Sequence, residues 1–147
     1  MAVVLTPGEI YFIQEIDPVT KKFTSYVKVG LVREVEGRDS ASRLDEHQTG
    51  NPRTLHLHKV VKTTAVAAVE GLLHGLFAPY RVHGEWFDFD NKTLASCINR
   101  AEELAKEAKA NLKYFEKAES LKEQPAFKSG INTFREGFKI FAVSAIK

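Results

Sequence analysis

Cysteine occurs once in the 147 residues, at Cys97. A single thiol cannot close an intrachain disulfide and cannot build a cysteine-based zinc site. No apolar run approaches the ~20 residues that cross a bilayer, and the N-terminus lacks the charged, then apolar, then small pattern of a secretory leader. No membrane partner is therefore expected, and the cytoplasm is the expected compartment. Charge of one sign is also scarce. A net charge of +2 is too small to announce a nucleic-acid partner by itself. Low-complexity linkers and internal repeats are missing as well, so neither a solenoid nor a tethered array is in view.

What is present suits a single compact domain, or one domain with an appendage. Hydrophobic residues make up 44% and charged residues 27%, enough for a real core beneath a soluble surface. Acidic residues outnumber basic ones through residue 90 and the balance reverses afterwards. Affinity for a polyanion should thus lean on the C-terminal part.

The stretches "GEIYFIQEI" (8–16) and "FTSYVKVGLV" (23–32) are rich in β-branched and aromatic residues around the turn-like "DPVTKK", which predicts a β-hairpin. Alternation puts Ile10, Phe12 and Ile16 on one face with Val27, Val29 and Leu31. Glu9, Tyr11, Ile13 and Glu15 fall on the other, with Tyr26, Lys28 and Gly30. That second face reads as the half-available one. "GRDSASRLDEHQTG" predicts a helix capped by Asp39 or Ser40, with Gly50 in a left-handed cap position before Asn51-Pro52. "TLHLHKVVKT" predicts a third strand with Leu55 and Leu57 opposite His56 and His58. "TAVAAVEGLLHGLF" predicts a second helix stopped by Pro79, and "HGEWFDF" a short extended closing segment. From residue 93 a long helix is expected to run to the break at Gln124-Pro125, followed by a last helix over 127–145 striped with phenylalanine. The expected fold is α+β: a small antiparallel three-stranded sheet flanked by helices over residues 1–89, then a C-terminal helical pair over 90–147.

Glu70 is the residue hardest to explain as scaffold. At 100° per residue it falls between Val66 and Leu73, inside the arc that the helix buries. A carboxylate there costs several kcal/mol in effective terms unless a cation or strong donors compensate. A divalent metal is one compensation; an ion pair with Arg43, Lys28 or His74 is the structural one. Gly71 and Gly75, one turn apart on that helix, point to close packing by the C-terminal helices or by nucleic acid. The His56/His58 pair raises a zinc alternative without a compact ligand motif, and hydrogen-bonded histidines explain it more simply. Trp86 and Phe87 read as a hydrophobic plug, with Glu85 outward.

Five segments in order, "EIYFI", "VKVG", "RLDEHQTGNP", "VEGLLHGLF" and "RVHGEWF", span roughly residues 8 to 89. Together they resemble the GIY-YIG nuclease superfamily, in particular its phage and bacterial branch with Q-T-G-N-P and G-E-W-F motifs. The resemblance implies that Tyr11 orients or deprotonates an attacking water, that Arg43 stabilises charge on phosphoryl oxygens, and that Glu70 binds a metal, Mg²⁺ or Mn²⁺. His74 and Glu85 match recurrent positions of the branch, as phosphate contacts or supporting groups. Two departures stand out. Glu9 replaces the superfamily glycine and Lys28 the second tyrosine, so the general base stays open between Tyr11 and Lys28, with Tyr26 as a substitute hydroxyl. Arg33, Arg38 and Arg53 are candidate phosphate contacts.

The implied activity is metal-dependent endonuclease cleavage of DNA, most simply double-stranded, with a single divalent ion. Two rival readings accompany it: a catalytically inactive DNA-binding module of the same fold, and a helical interaction protein that forms a homodimer through its C-terminal helices.

Overall fold

The computed structural model describes residues 5–122. The chain runs β1 (Gly8–Ile16), β2 (Phe23–Arg33), α1 (Ser40–Thr49), β3 (Thr54–Thr63), α2 (Val66–Leu76), β4 (Arg81–His83), β5 (Trp86–Asp88), α3 (Asn91–Ala110) and α4 (Leu112–Lys122). Single 3₁₀ turns sit at Glu34–Glu36 and Ala78–Tyr80. The leading hairpin forms where expected because Asp17 organises its turn: Oδ1 accepts from the amides of Val19 at 2.8 Å and Thr20 at 3.1 Å, the local side-chain turn that Asp favours.

The sheet has five strands rather than three, all antiparallel, in the order β3-β1-β2-β5-β4. The two additional strands are the halves of a short hairpin around Gly84, whose φ of 56° is the left-handed conformation that glycine adopts freely. Strands of three residues are too short for alternation to reveal.

α1 covers one face of the sheet; α2, α3 and α4 share the other. On the three-helix side Ile10, Phe12, Val27 and Val29 meet Val69, Leu72 and Leu73 of α2, and Leu94, Leu104 and Phe115 of α3 and α4, in one continuous core. Cys97 belongs to it, and burial pushes its thiol up to about 12, so it packs rather than reacts. Under α1 a smaller cluster joins Tyr11, Ile13, Val32 and Leu55, with Leu44, Leu57 and Trp86 packed around it. The tyrosine face is therefore covered where α1 lies: Tyr11 and Ile13 are fully buried.

Other details depart from sequence expectation. Gly50 has φ −94° and ψ 8°, not the left-handed cap. Gln48 does the work instead. Its amide donates to the carbonyls of Arg53 at 2.9 Å and Asn51 at 3.3 Å and accepts from Leu55 N at 2.8 Å, tying the end of α1 to the start of β3. The long C-terminal helix is broken at Asn111, where the backbone turns extended (φ −131°, ψ 68°) and α4 packs along α2. Trp86 and Phe87 do not form one plug; successive residues of β5 point to opposite faces, Phe87 into the main core and Trp86 beside the α1 cluster. The predicted helix over 127–145 lies outside the described residues.

Candidate functional site

The β1–β2 register sets Tyr11 directly opposite Gly30. A Cβ on Gly30 would lie 2.3 Å from both Tyr11 Cζ and its hydroxyl oxygen. The far end of the phenol therefore lies across β2 at its one residue without a side chain. That is the physical meaning of the glycine in "VKVG". The hydroxyl then stands 3.2 Å from His47 Nε2.

α1 supplies the next groups. Asp39 caps it, accepting from Ser42 N at 2.9 Å. Glu9, which stands where a superfamily glycine was expected, accepts from Ser40 N at 3.0 Å and Ser40 Oγ at 2.7 Å. This carboxylate fastens the helix N-terminus to β1, a placement that the helix dipole favours. With both ends of α1 anchored, Arg43 and His47, one turn apart, face the phenol. Arg43 Nη1 donates to Glu46 Oε2 at 2.9 Å, while its buried Nε has no hydrogen-bond partner among the described residues.

The β2 edge supplies the rest. Lys28 Nζ pairs with Glu85 at 3.2 Å and lies 6.0 Å from the Trp86 ring centroid. Val29 N donates to the Glu85 carbonyl at 3.0 Å, and Val29 O accepts from His74 Nε2 at 2.9 Å. His74 Nε2 therefore carries a proton. It lies 4.0 Å from Glu70 Oε1, and its ring meets Phe87 edge-on. Glu70 is 4% exposed, as its place in the apolar arc implied.

These groups act on one another electrostatically. Burial, and after it the charge of Glu85, raise the Tyr11 phenol well above its usual range; Arg43 opposes this, and Glu70 adds a smaller push upward. The phenol is protonated at neutral pH. His47 is lowered, chiefly by burial and then by Lys28 and Arg43, which leaves a neutral imidazole facing a phenolic proton.

Tyr11, Lys28, Arg43, Glu70, His74 and Glu85 are thus brought into one neighbourhood by α1, the β1–β2 pair, α2 and the β4–β5 turn. Arg38 joins the rim of the site, because the Glu46 carboxylate that it binds also holds Arg43. Three predicted residues stand apart. Tyr26 is 42% exposed opposite Asp88. Arg53 pairs with Glu15 at 3.2 Å near the hairpin end of β1, whereas Arg33 lies at the opposite end, across from Gly8. Lys28 is engaged by Glu85 and is not a cause of the Tyr11 shift. His47 was not anticipated, although its i+4 spacing from Arg43 was the signal that both share a helix face.

Among the described residues no three His, Cys, Asp or Glu side chains gather as a metal cage. A buried carboxylate such as Glu70 nevertheless suits Mg²⁺ or Mn²⁺, hard ions that use one or two carboxylates and draw their other ligands from water and substrate phosphate.

An α+β domain with a buried phenol and carboxylate, and a half-buried guanidinium and imidazole facing the phenol, is the class that these features define. The chain belongs to the T5orf172 domain family, whose profile matches residues 8–102. This phage-associated domain is related to GIY-YIG and HNH endonuclease-like folds; the family shown is T5orf172, not GIY-YIG itself. Membership supports a nuclease-like or DNA-binding role. No curated protein and no solved structure matches the chain. Among the described residues no helix is long and apolar enough to cross a membrane.

Proposed function

We propose that this protein is a DNA endonuclease that hydrolyses phosphodiester bonds with one Mg²⁺ or Mn²⁺ held by Glu70. The observation that carries the reading is the Tyr11 hydroxyl, laid over Gly30 within the influence of Arg43, His47, Glu85 and Glu70 at once. Two acids, an arginine and an imidazole around a buried phenol are the kind of set with which functional sites shift ionisation. Arg43, oriented by Glu46 and with Nε uncommitted, offers preorganised positive charge to phosphoryl oxygens. Tyr11 stays protonated, so it cannot act as a free phenolate. Once substrate binding admits water to this buried hydroxyl, Tyr11 passes a proton from the attacking water to neutral His47, so that a Tyr11–His47 pair stands in place of Tyr11 or Lys28 alone. Lys28, held by Glu85, is a positioned cation rather than a base. His74 keeps the β2 edge in place beside Glu70. The metal, when bound, supplies Lewis-acid charge for the phosphate and the departing oxygen.

The test is nicking of supercoiled plasmid with Mn²⁺ or Mg²⁺. Glu70→Ala and Arg43→Ala should each lose activity by about 100-fold or more while still shifting DNA in a gel. A wild-type chain that binds the plasmid and never nicks it is a binding module, and a Glu70→Ala chain that nicks normally removes the carboxylate from the chemistry.

A further inference from the structure

The face opposite Tyr11 carries a second arrangement that the hydrolytic site does not use. Between edge strand β3 and the first half of α3 lies a cleft of about 450 Å³, within the size range of small-molecule sites. Gln14, His56 and His58 reach it from the sheet, and Asn91 and Asn99 from α3, above a floor of Leu94, Ala95 and Ile98. Phe23 closes one end. No fully charged side chain lines it.

Gln14 decides what the cleft is for. Its side chain lies on the inner face, in register with His56, and is only 6% exposed. Its carboxamide atoms are not among the sealed, unpartnered polar atoms of the described residues, so the amide edge is open to the cleft that Gln14 lines. The rings around it are ordered in a row. Phe23 and His56 have centroids 5.4 Å apart, and His56 and His58 6.5 Å. A β-bulge contributes: Leu57 pairs with Ile13 and Lys59 with Phe12, so His58 is the extra residue. Bulges re-aim side chains next to functional sites. His58 is lowered by burial, then by His56 and Lys59, so its ring is neutral near pH 7.

A cleft of planar rings and carboxamides, without lysine or arginine, is wrong for a phosphate and right for an uncharged heteroaromatic ring. Aromatic side chains stack bases, and Asn or Gln side chains read their edges in pairs of hydrogen bonds, adenine above all. We propose that this cleft binds an unpaired nucleobase, stacked on the Phe23–His56–His58 row and held at its edge by Gln14 together with the α3 asparagines. The base can come from a free nucleoside or from a single strand passing the exposed edge β3. The inference does not rest on the hydrolytic reading, because the cleft shares no lining residue with that site and binding is its readout.

The imidazole resonances of His56 and His58 in the full chain report occupancy. Adenosine and a short oligo-dA strand are titrated separately, with Zn²⁺ alone as a third arm. Saturable shifts with adenosine, weakened about tenfold by Asn99→Ala and by Gln14→Leu, are expected. Shifts with the strand alone assign the base to single-stranded nucleic acid, again weakened by the same substitutions. Asn99→Ala, an exposed position, keeps the test decisive should Gln14→Leu fail to fold. The Glu70→Ala chain should bind as well as wild type, so a failed nicking assay leaves this result intact. No shift with either probe, affinity unchanged in Asn99→Ala, or shifts with Zn²⁺ only would overturn the assignment.

Discussion

At the scale of single residues, Tyr11 shows how much one side chain can be asked to do. It fills the α1 cluster, crosses β2 over Gly30 and presents its hydroxyl to His47. Each of these removes water from the phenol, and burial is the leading cause of its raised pKa. The sign of the resulting pH effect follows directly. In the unfolded chain the phenol ionises near 10, while in the folded chain it keeps its proton to higher pH. The unfolded state therefore binds fewer protons above pH 10, and the stability that Tyr11 contributes is whole below that value and lost as pH rises toward the folded pKa. The slope from one such group is at most about 1.4 kcal/mol per pH unit. Urea midpoints at pH 9 and pH 11 should fall less in Tyr11→Phe than in wild type. Equal falls would mean that the phenol ionises alike in both states and that its burial has been overstated.

At the scale of elements, α2 is the piece that most needs outside help. Its residues from Val66 through Gly75 are all buried, and Ala65, at its N-cap, supplies no side-chain acceptor. Thr6 O takes the Val66 amide at 2.8 Å. Glu119, 3% exposed on α4, accepts from the Ala68 amide at 3.4 Å, placing a carboxylate where the helix dipole favours one. Glu119→Ala should cost about 1–2 kcal/mol, as loss of a helix cap usually does, and should speed hydrogen exchange at the Ala68 amide. An unchanged exchange rate there would show that the cap is not formed. This arrangement also marks the limit of legibility. The three long strands are plain in their alternation, α1 in a cap at Asp39 or Ser40 that the structure gives to Asp39, and the anomaly of Glu70 in its helical angle. Glu119 acting on Ala68 spans fifty-one positions, and no local pattern announces it. The same holds for the burial of Tyr11, which depends on α1 docking over it. The site roles of Arg43 and Glu70 come from family resemblance, whereas spacing alone favours an ordinary ion pair for Glu70.

At the scale of the whole molecule, the question is whether the sheet can stand without the helices that follow it. Leu94, Cys97, Ala101, Leu104, Ala108, Phe115 and Ala118 lie in the same core as β1, β2 and α2, and the family match runs past the start of α3 to residue 102. Burying one Leu or Phe is worth about 1.5–3 kcal/mol, and domains carry only about 5–15 kcal/mol of net stability. Leu94, Leu104 and Phe115 together contribute on that order, before the smaller residues and the Glu119 cap are considered. A fragment ending at Asp90 should then lack a cooperative thermal transition and show collapsed amide dispersion by NMR, while the full chain melts in one step. It should also lose nicking, because α2 carries Glu70 and would lose its outer support. A fragment that melts cooperatively would instead make α3 and α4 an appendage, and the placement of Glu70 would have to come from the sheet and the β4–β5 hairpin alone.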